Sequence, residues 1–313
     1  MDLETSDLSS VIFLNATLKC LIMLVVITIP AYNEEETLPS VLKEIHGVMK
    51  KTKYKYKVLV LNDGSRDKTV EVAKKGGAKV HSHSRNQGLA ATFTSEMHYC
   101  LEEKADIIVH TDADGQYPAE FIPKLIKEVE NGNDLVLGSR FAGEIEAMPI
   151  VKRLGNMAFA MVFSKITKTR ITDSTTGFRA FTREVADSIT YTTNFTYTQE
   201  QLIRASRQSF KIKEIPIYAR STRESRLMKG PIDYAIKAWI NIFRIYRDYN
   251  PLAFFGKIGI VFLTLGALLG LNIVYYVLQY GEASGTPRVI LSALLILAGI
   301  QIMLFGLLAD MRN

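Results

Sequence analysis

The sequence has few cysteines and lacks several common nucleotide-binding signatures. Cys20 and Cys100 are the two cysteines among 313 residues, and no CxxC spacing occurs. A disulfide framework and a structural zinc site are therefore not expected. There is no GxGxxG after the first predicted strand and no GxxxxGK[ST] anywhere, which disfavours a dinucleotide dehydrogenase. A sugar nucleotidyltransferase would need a glycine-rich loop with a lysine after that strand, and this is also missing.

Charge and apolar residues are unevenly distributed along the chain. The net charge is +6, and the basic residues gather late in the part that precedes Pro251. A basic surface suits anionic lipid headgroups or phosphate ligands, although it can also be an ordinary solvated surface. The first ten residues are acidic and polar, without the basic start of a secretory signal. We interpret residues 1–22 as an N-terminal extension and not as a membrane span.

Strand and helix patterns alternate over about 140 residues after this extension. Aliphatic runs predict strands, and apolar residues at helical spacing predict a helix beginning near Leu38. The predicted strands are Leu24–Ile29, Lys57–Leu61, Ala78–His81, Ile107–Thr111, Leu135–Gly138 and Lys213–Ile217. This alternation predicts an α/β fold with a mostly parallel, doubly wound sheet.

The C-terminal part is predicted to lie on and in a membrane. Residues 231–250 form an amphipathic pattern, which indicates either an interface helix or a helix packed on the domain's own core. Uncharged apolar runs at 258–278 and 289–309 each have the length of a transmembrane helix. Basic residues precede the first run and Arg312 follows the second, so the positive-inside rule places both termini in the cytoplasm. The predicted domains are 1–22, a catalytic domain 23–230, the helix 231–250 and a transmembrane hairpin 251–313.

A cluster of acidic residues follows the fourth predicted strand. Asp112 and Asp114 are two positions apart, and Gln116 follows two positions later. In open α/β sheets, ligands bind beyond the carboxyl ends of the strands. An oxygen-only ligand set favours Mg²⁺ or Mn²⁺, which would bridge the phosphates of a nucleotide diphosphate. A solvated acidic turn is the alternative for this motif taken alone.

Two further strand ends carry residues able to bind a nucleoside. Tyr32 can stack on a base and Glu34 can hydrogen-bond it, and both directly follow the first strand. Asp63 follows the second strand and can read base or ribose. Turn and helix-cap chemistry is the alternative role for Asp63 and for Asn33.

Six motifs in order complete this pattern: PAYNEEETL, LNDGSRDKT, RNQGLAA, DADGQYP, GSRF and DSTTGFRAF, all within Ile29–Phe181. With them the chain resembles family 2 inverting glycosyltransferases of the GT-A fold, and among these the dolichyl- and polyprenyl-phosphate sugar synthases. The resemblance implies transfer of one hexose from a nucleotide-sugar to a polyprenyl phosphate in the membrane. It places GDP-mannose ahead of UDP-glucose and other UDP-sugars as donor.

The resemblance also implies roles for individual positions. The nucleoside would be held by Pro30, Tyr32, Glu34, Leu61 and Asp63. The metal would be held by Asp112, Asp114 and Gln116, and these with Ala113, Arg220 and Arg226 would bind the donor diphosphate. The acceptor phosphate would meet Arg140, Arg153 and Asn156, with Asp114 and Arg140 the catalytic pair. Arg223 and Arg226 stand where relatives usually have glycine and lysine, so the resemblance predicts the positive charge of that late loop better than its geometry.

The chemistry requires countercharge and no general base. A phosphate monoester is mostly dianionic at neutral pH, because its second pKa is about 6. Two phosphate groups must approach each other, and arginines can offset their repulsion. Glu200 falls near a carboxylate used by hydroxyl-accepting relatives, and a basic role is not expected for it. One alternative is a processive polysaccharide synthase of the same family. Such enzymes carry a Gln-x-x-Arg-Trp motif, and the only tryptophan here, Trp239, follows an alanine, which disfavours this alternative. The other alternative is a catalytically silent scaffold of the same fold.

Overall fold

The computed structural model describes most of the chain, in several stretches. These are residues 23–146, 150–189, 197–221, 240, 243–244, 246–248, 250–281 and 285–311. The predicted extension 1–22, most of the predicted interface helix 231–250 and the predicted donor ligand Arg226 lie outside the described residues. The chain divides into two compact units, with the boundary between Met228 and Lys229.

The first unit alternates strands and helices. Its strands are β1 (Leu24–Ala31), β2 (Lys55–Asn62), β3 (Lys79–Ser82), β4 (Ile107–His110), β5 (Leu135–Ile145), β6 (Arg179–Thr182) and β7 (Ile212–Ala219). Its helices are α1 (Leu38–Met49), α2 (Thr69–Lys75), α3 (Leu89–Glu102), α4 (Ile122–Glu130), α5 (Ile150–Thr167), α6 (Arg183–Ser188) and α7 (Tyr197–Arg207).

The strands form one seven-stranded sheet in the order β3-β2-β1-β4-β6-β5-β7. Strand β6 is antiparallel to its neighbours β4 and β5, whereas the other pairs are parallel. The predicted mostly parallel sheet is therefore confirmed. The antiparallel β6 was not predicted, because its four residues lie in a region whose pattern is mixed.

Helices cover both faces of the sheet, as a doubly wound fold requires. Strand β1 lies in the interior of the sheet between β2 and β4, and Val25, Val26, Ile27 and Ile29 are fully buried. One apolar cluster packs α1 and α4 against one face, and a second cluster packs α3 against the other. The amphipathic pattern of α1 is confirmed, since its predicted apolar residues are the buried ones.

The second unit contains two long helices, α8 (Pro251–Tyr280) and α9 (Thr286–Met311). Both are long and apolar enough to cross a membrane, and few of their residues are buried within the protein. Each is longer than the uncharged run that predicted it. A helix of 30 residues spans roughly 45 Å, which exceeds the ~30 Å hydrocarbon core of a bilayer.

Glycines allow the two helices to pack closely. A Cβ atom added to Gly259 would lie 2.8 Å from the carbonyl oxygen of Gly299, and one added to Gly299 would lie 2.9 Å from that of Gly259. Nearby, the Ser292 hydroxyl donates to the Gly266 carbonyl at 2.8 Å. Small residues and interhelical hydrogen bonds of this kind drive helix association in membranes, where the hydrophobic effect is absent.

We predict that Gly259→Ala destabilises the hairpin, whereas Gly256→Ala does not. The added methyl at position 259 would collide with the facing backbone, and such overpacking typically costs about 1–3 kcal/mol. Position 256 is a matched control on the same helix, because nothing lies within 4 Å of a Cβ placed there. Thermal unfolding of the full chain in detergent measures the effect. Equal midpoints for the two variants would contradict this account of the packing.

Candidate active site

The candidate site lies at the edge of the sheet where four parallel strands end. In neighbouring strands, Ala31 is in register with Asn62, and Asn62 with Ser82. Thr28 of β1 is in register with His110, the last residue of β4. The loops after β1, β2, β3 and β4 therefore emerge side by side. This brings together the motifs that the sequence places more than 80 positions apart.

The loop after β1 carries residues predicted to bind the nucleoside. The Tyr32 side chain is 39% exposed, so its ring is available for stacking. The next residue, Asn33, has a positive φ of 54°. Its backbone N–H donates to the Ser65 hydroxyl at 2.9 Å, and its side-chain oxygen accepts from the Arg66 backbone at the same distance. These bonds fix the Tyr32 loop to the turn after β2.

The other predicted nucleoside ligands lie in or next to the same loop. Glu34 accepts a 2.7 Å hydrogen bond from the Thr37 hydroxyl, while its backbone N–H donates to Thr69. Pro30 and Leu61 are paired across β1 and β2, and both are buried. Leu61 is fully buried, so its side chain supports the strand end from within the core.

Asp63 is more fully engaged by the protein than its predicted nucleoside role suggests. Its carboxylate accepts hydrogen bonds from the backbone N–H groups of Gln87 and Gly88, both at 2.9 Å. His83 Nδ1 lies 2.8 Å from the same carboxylate, and Asp63 is only 5% exposed. Asp63 therefore holds the loop after β3 in place. Any contact with a nucleoside is in addition to this structural role.

The acidic motif directly follows β4. Gly115 adopts a left-handed φ of 74°, and the Gln116 N–H donates to Asp114 Oδ1 at 3.0 Å, so the motif forms a tight turn. Ala113 is buried, whereas Asp112, Asp114 and Gln116 are partly exposed. Burial and the nearby Asp114 carboxylate raise the pKa of Asp112 to about 6. The two carboxylates thus face a common space and repel each other.

These residues fit a divalent cation. A Cβ atom at Gly177 would lie 3.0 Å from both carboxylate oxygens of Asp112, so only glycine leaves this space open. The donor set is two carboxylates and one amide, all of them hard oxygen ligands. The described part of the chain holds no cluster of three or more His, Cys, Asp and Glu side chains around a common point. Mg²⁺ is usually bound by one or two carboxylates, with substrate phosphates supplying further ligands, so two are sufficient.

Arg140 lies on β5 and is buried, with 6% exposure. Its Nε donates to Asp173 Oδ2 at 2.7 Å, and its Nη2 donates to Asp173 Oδ1 at 2.9 Å and to the Thr175 hydroxyl at 2.8 Å. These bonds use Nε and Nη2 and leave Nη1 outside them. Asp173 is thus the partner of Arg140, and the positive charge of Arg140 offsets part of the rise in the Asp112 pKa.

Asp173 is itself held by the edge strand. Glu214 of β7 accepts hydrogen bonds from the backbone N–H groups of Thr172 and Asp173, at 2.8–3.0 Å. It also accepts one from the Thr172 hydroxyl, which in turn contacts the Ser139 hydroxyl at 2.6 Å. The Arg140 guanidinium is therefore oriented directly by the loop before β6, and β7 holds that loop through Glu214.

Arg220, predicted to bind the donor, follows β7 and contacts Glu44 of α1. Its two terminal nitrogens donate to the Glu44 carboxylate at 2.9 Å and 3.0 Å. Its backbone N–H donates to the Gln116 carbonyl at 3.0 Å. The structure thus brings Arg220 to the acidic motif, with its side chain engaged by an acid.

The remaining predicted residues lie on helices. Arg153 and Asn156 are both on α5, where Arg153 is exposed and Asn156 is 5% exposed. Glu200 on α7 is 1% exposed and pairs with Arg204 at 2.8 Å. Glu200 is thus held by an ion pair within its own helix.

Asp173, Glu214, Glu44 and Gly177 belong to the site but were assigned no role from the sequence. Asp173 and Gly177 lie within the DSTTGFRAF motif, so the motif marked them without indicating what they contact. Glu44 and Glu214 sit within an ordinary helix pattern and an ordinary strand pattern. No local signal distinguishes them from surface acids.

Comparison with known proteins identifies the family. The model of glycosyl transferase family 2 matches residues 26–190. A dolichyl-phosphate hexose transferase of Haloferax volcanii is 36% identical over 197 residues, which are 63% of this chain and 83% of that protein. Glycosyltransferase AglJ of the same organism is 30% identical over 92% of this chain and 93% of its own length. A dolichol-phosphate mannosyltransferase of Pyrococcus furiosus is 30% identical over 87% of this chain and 78% of its own length.

Solved structures support the fold. Glucosyl-3-phosphoglycerate synthase from Mycobacterium tuberculosis, crystallised with Mn²⁺, UDP and glucosyl-3-phosphoglycerate, superposes with a TM-score of 0.58 at 19% identity. The match covers 73% of this chain and 81% of that one. The predicted GT-A-like fold is thereby confirmed. The family model matches residues 26–190, and the hexose transferase is 36% identical over 197 residues. The chain therefore belongs to glycosyl transferase family 2 and is a glycosyltransferase.

Proposed function

We propose that this protein transfers a single hexose from a nucleotide-sugar to dolichyl or another polyprenyl phosphate, with inversion at the anomeric carbon. The observation that carries the proposal is the acidic pair Asp112 and Asp114 after β4, with the buried Arg140 bound to Asp173 and Thr175 in the same loop whose Gly177 lies against Asp112. The acidic pair suits a cation and a diphosphate, and Arg140 suits a second phosphate group. Relatives named for dolichyl and undecaprenyl phosphate acceptors support the same conclusion.

The donor would bind along the edge formed by β1, β2 and β4. Tyr32 would stack on the base, and Glu34 and Asp63 would hydrogen-bond the nucleoside, with Pro30 and Leu61 behind them. Asp112, Asp114 and Gln116 would hold Mg²⁺ or Mn²⁺, both of which occur in crystals of proteins with this fold. A bound divalent ion would offset the negative charge that develops on the leaving diphosphate.

The acceptor would supply its own nucleophile. An oxygen of the dianionic lipid phosphate would form a bond to the anomeric carbon while the bond to the diphosphate breaks. No proton has to be removed, so no general base is required. Arg140 would hold and orient the incoming phosphate through Nη1, because Asp173 and Thr175 occupy its other bonds. Arg153 and Asn156 on α5 would complete the acceptor site.

The membrane part would anchor the enzyme where its acceptor resides. We propose a two-pass topology with the catalytic domain and both termini in the cytoplasm, on the basis of Lys257 before the first span and Arg312 after the second. The hairpin has few polar residues besides Asn272 and Gln301. We therefore expect it to anchor the protein and not to translocate the product.

The function is tested by offering the purified full chain several donors with one polyprenyl phosphate and Mg²⁺ or Mn²⁺. We expect a single sugar to be transferred, with GDP-mannose preferred to UDP-glucose and other UDP-sugars. The names of relatives include both a mannosyltransferase and a UDP-N-acetylglucosamine enzyme, so the panel must contain all these donors. The absence of transfer and of donor hydrolysis with every donor would favour the silent scaffold. Polymeric product would favour the processive synthase.

We predict that Asp114→Ala abolishes transfer while the protein remains folded. Asp114 is partly exposed and serves the candidate metal site, so the core does not depend on it. Turnover should also stop in EDTA and return with Mn²⁺ or Mg²⁺. Circular dichroism and thermal unfolding provide the control for folding. Near-normal turnover of the folded variant in EDTA would refute the metal site.

We predict that Arg140→Lys raises the KM for polyprenyl phosphate and leaves donor binding nearly unchanged. Lysine retains the charge opposite Asp173, so the buried acid keeps a partner, but the fork geometry is lost. The loss of one charge-assisted bond of about 1.5–3 kcal/mol should raise the acceptor KM roughly tenfold or more. Calorimetry with Mn²⁺ and the nucleotide-sugar measures the donor side. If donor affinity collapsed while the acceptor KM stayed normal, Arg140 would belong to the diphosphate site.

A further inference from the structure

Glu44 joins three parts of the protein beneath the acidic motif. It lies on α1, and its Oε1 accepts the backbone N–H of Ala119 at 3.0 Å. The same carboxylate accepts two hydrogen bonds from the Arg220 guanidinium, at 2.9 Å and 3.0 Å. Glu44 therefore connects α1 to the loop after Asp114 and to Arg220, the residue that follows β7.

Arg220 makes two contacts with the same loop. Its backbone N–H donates to the Gln116 carbonyl at 3.0 Å, and its Nη1 donates to the Gly115 carbonyl at 3.4 Å. Glu44 binds both terminal nitrogens of the guanidinium in a bidentate geometry. Arg220 therefore binds the motif loop through its backbone N–H and Nη1, and α1 through its guanidinium group.

The loop is also held by Tyr117, which is buried and stacks on Phe178 with ring centroids 5.1 Å apart, and by the buried Ala119. Gly115 has a left-handed φ and no side chain, and Val41 of α1 would lie 3.7 Å from a Cβ placed there. The loop thus rests on α1 through Val41 and is tied to it by Glu44. The hydrogen bonds from Arg220 lower the pKa of Glu44 and, with the bond from the Ala119 N–H, outweigh the opposite effect of burial, so the carboxylate is ionised at neutral pH.

The pair is better suited to positioning than to global stability. The Arg220 side chain is 42% exposed and that of Glu44 33%, and ion pairs with such exposure contribute little to the free energy of unfolding. A ligand site, in contrast, is sensitive to small displacements of the groups that form it. Arg220 contacts Gln116 itself and Gly115, the residue that directly follows Asp114.

We propose that Glu44 is a positioning residue that, through Arg220, clamps the loop Gly115–Ala119 against α1 and so fixes the metal- and diphosphate-binding groups. This inference rests on the proposed function. The competing account is that Arg220 contacts the donor diphosphate directly, in which case Glu44 is dispensable. The two accounts differ in what they predict for a change at Glu44 alone.

The test compares Glu44→Gln with Glu128→Gln in the full chain. Glutamine at 44 can still accept the Ala119 N–H, but it loses the charge and one acceptor for Arg220. Glu128 is the matched control, because it forms a single 2.7 Å ion pair between α4 and β7 with Lys213, away from the motif. Electron paramagnetic resonance measures binding of Mn²⁺ alone, with GDP and with UDP, and steady-state kinetics measure the donor KM.

We expect Glu44→Gln to weaken Mn²⁺–nucleotide binding and to raise the donor KM, each roughly fivefold or more, with thermal stability near that of Glu128→Gln. The single charge reversals Glu44→Arg and Arg220→Glu should weaken Mn²⁺ binding more than Glu44→Gln does. The double reversal should bind Mn²⁺ more tightly than either single reversal, because the effects of coupled residues are not additive.

Three results would overturn the proposal. The first is a Glu44→Gln protein that binds Mn²⁺ and nucleotide as the Glu128→Gln protein does, while Arg220→Ala weakens binding, since this is the direct-contact account. The second is tighter donor binding by Glu44→Gln, and the third is a double reversal no better than the single ones. The Mn²⁺ measurement requires no sugar transfer. It therefore remains informative if the proposed acceptor or sugar is wrong.

Discussion

The parallel pairing of β1 with β2 and β4 is the constraint on which the site depends. Parallel strands end on the same side of a sheet, so the register Ala31–Asn62 and Thr28–His110 fixes where three polar loops emerge. The pairing is possible because β1 is apolar on both faces and helices cover both. The hydrophobic core thus determines the location of the chemistry, although it contributes no chemical group to it.

Within that frame, hydrogen bonds to acids set the orientation of the polar groups. Burying a guanidinium without a partner is costly, and Arg140 is buried with Asp173 bound to it in bidentate geometry. Asp173 is in turn oriented by Glu214, which accepts the backbone N–H groups around it. Asp63 performs a similar task for the loop after β3. Each of these acids satisfies backbone donors that would otherwise be unpaired in an irregular loop.

The sequence predicted the parts of the fold and site that depend on local pattern. The burial of α1, the strand before Asp112 and the two long apolar helices all follow from the spacing of apolar residues. Helix α3 was not predicted, although it supplies the core residues Phe93 and Met97. Its apolar residues are interrupted by threonines and a buried Glu96, so its amphipathic pattern is weak.

The parts that escaped prediction depend on contacts between distant positions. Glu44 and Arg220 are 176 positions apart, and Glu214 is 42 positions from Thr172. Periodicity reports only on neighbours in the same helix or strand, so an acid that faces a distant loop looks like any surface acid. The motifs indicated which residues the site contains, whereas their partners required the fold.

A division of labour among the charged residues follows from these contacts. Asp112 and Asp114 repel each other and are only partly buried, as expected of carboxylates that bind a cation together. The guanidinium groups of Arg140 and Arg220 are bound by the carboxylates of Asp173 and Glu44, so their positions are set before any ligand binds. For the proposed reaction, which brings two phosphate groups together and needs no base, preorganised countercharge such as that of Arg140 is the main contribution a protein can make. The acids beneath the arginines are therefore as much a part of the proposed catalytic design as the arginines themselves.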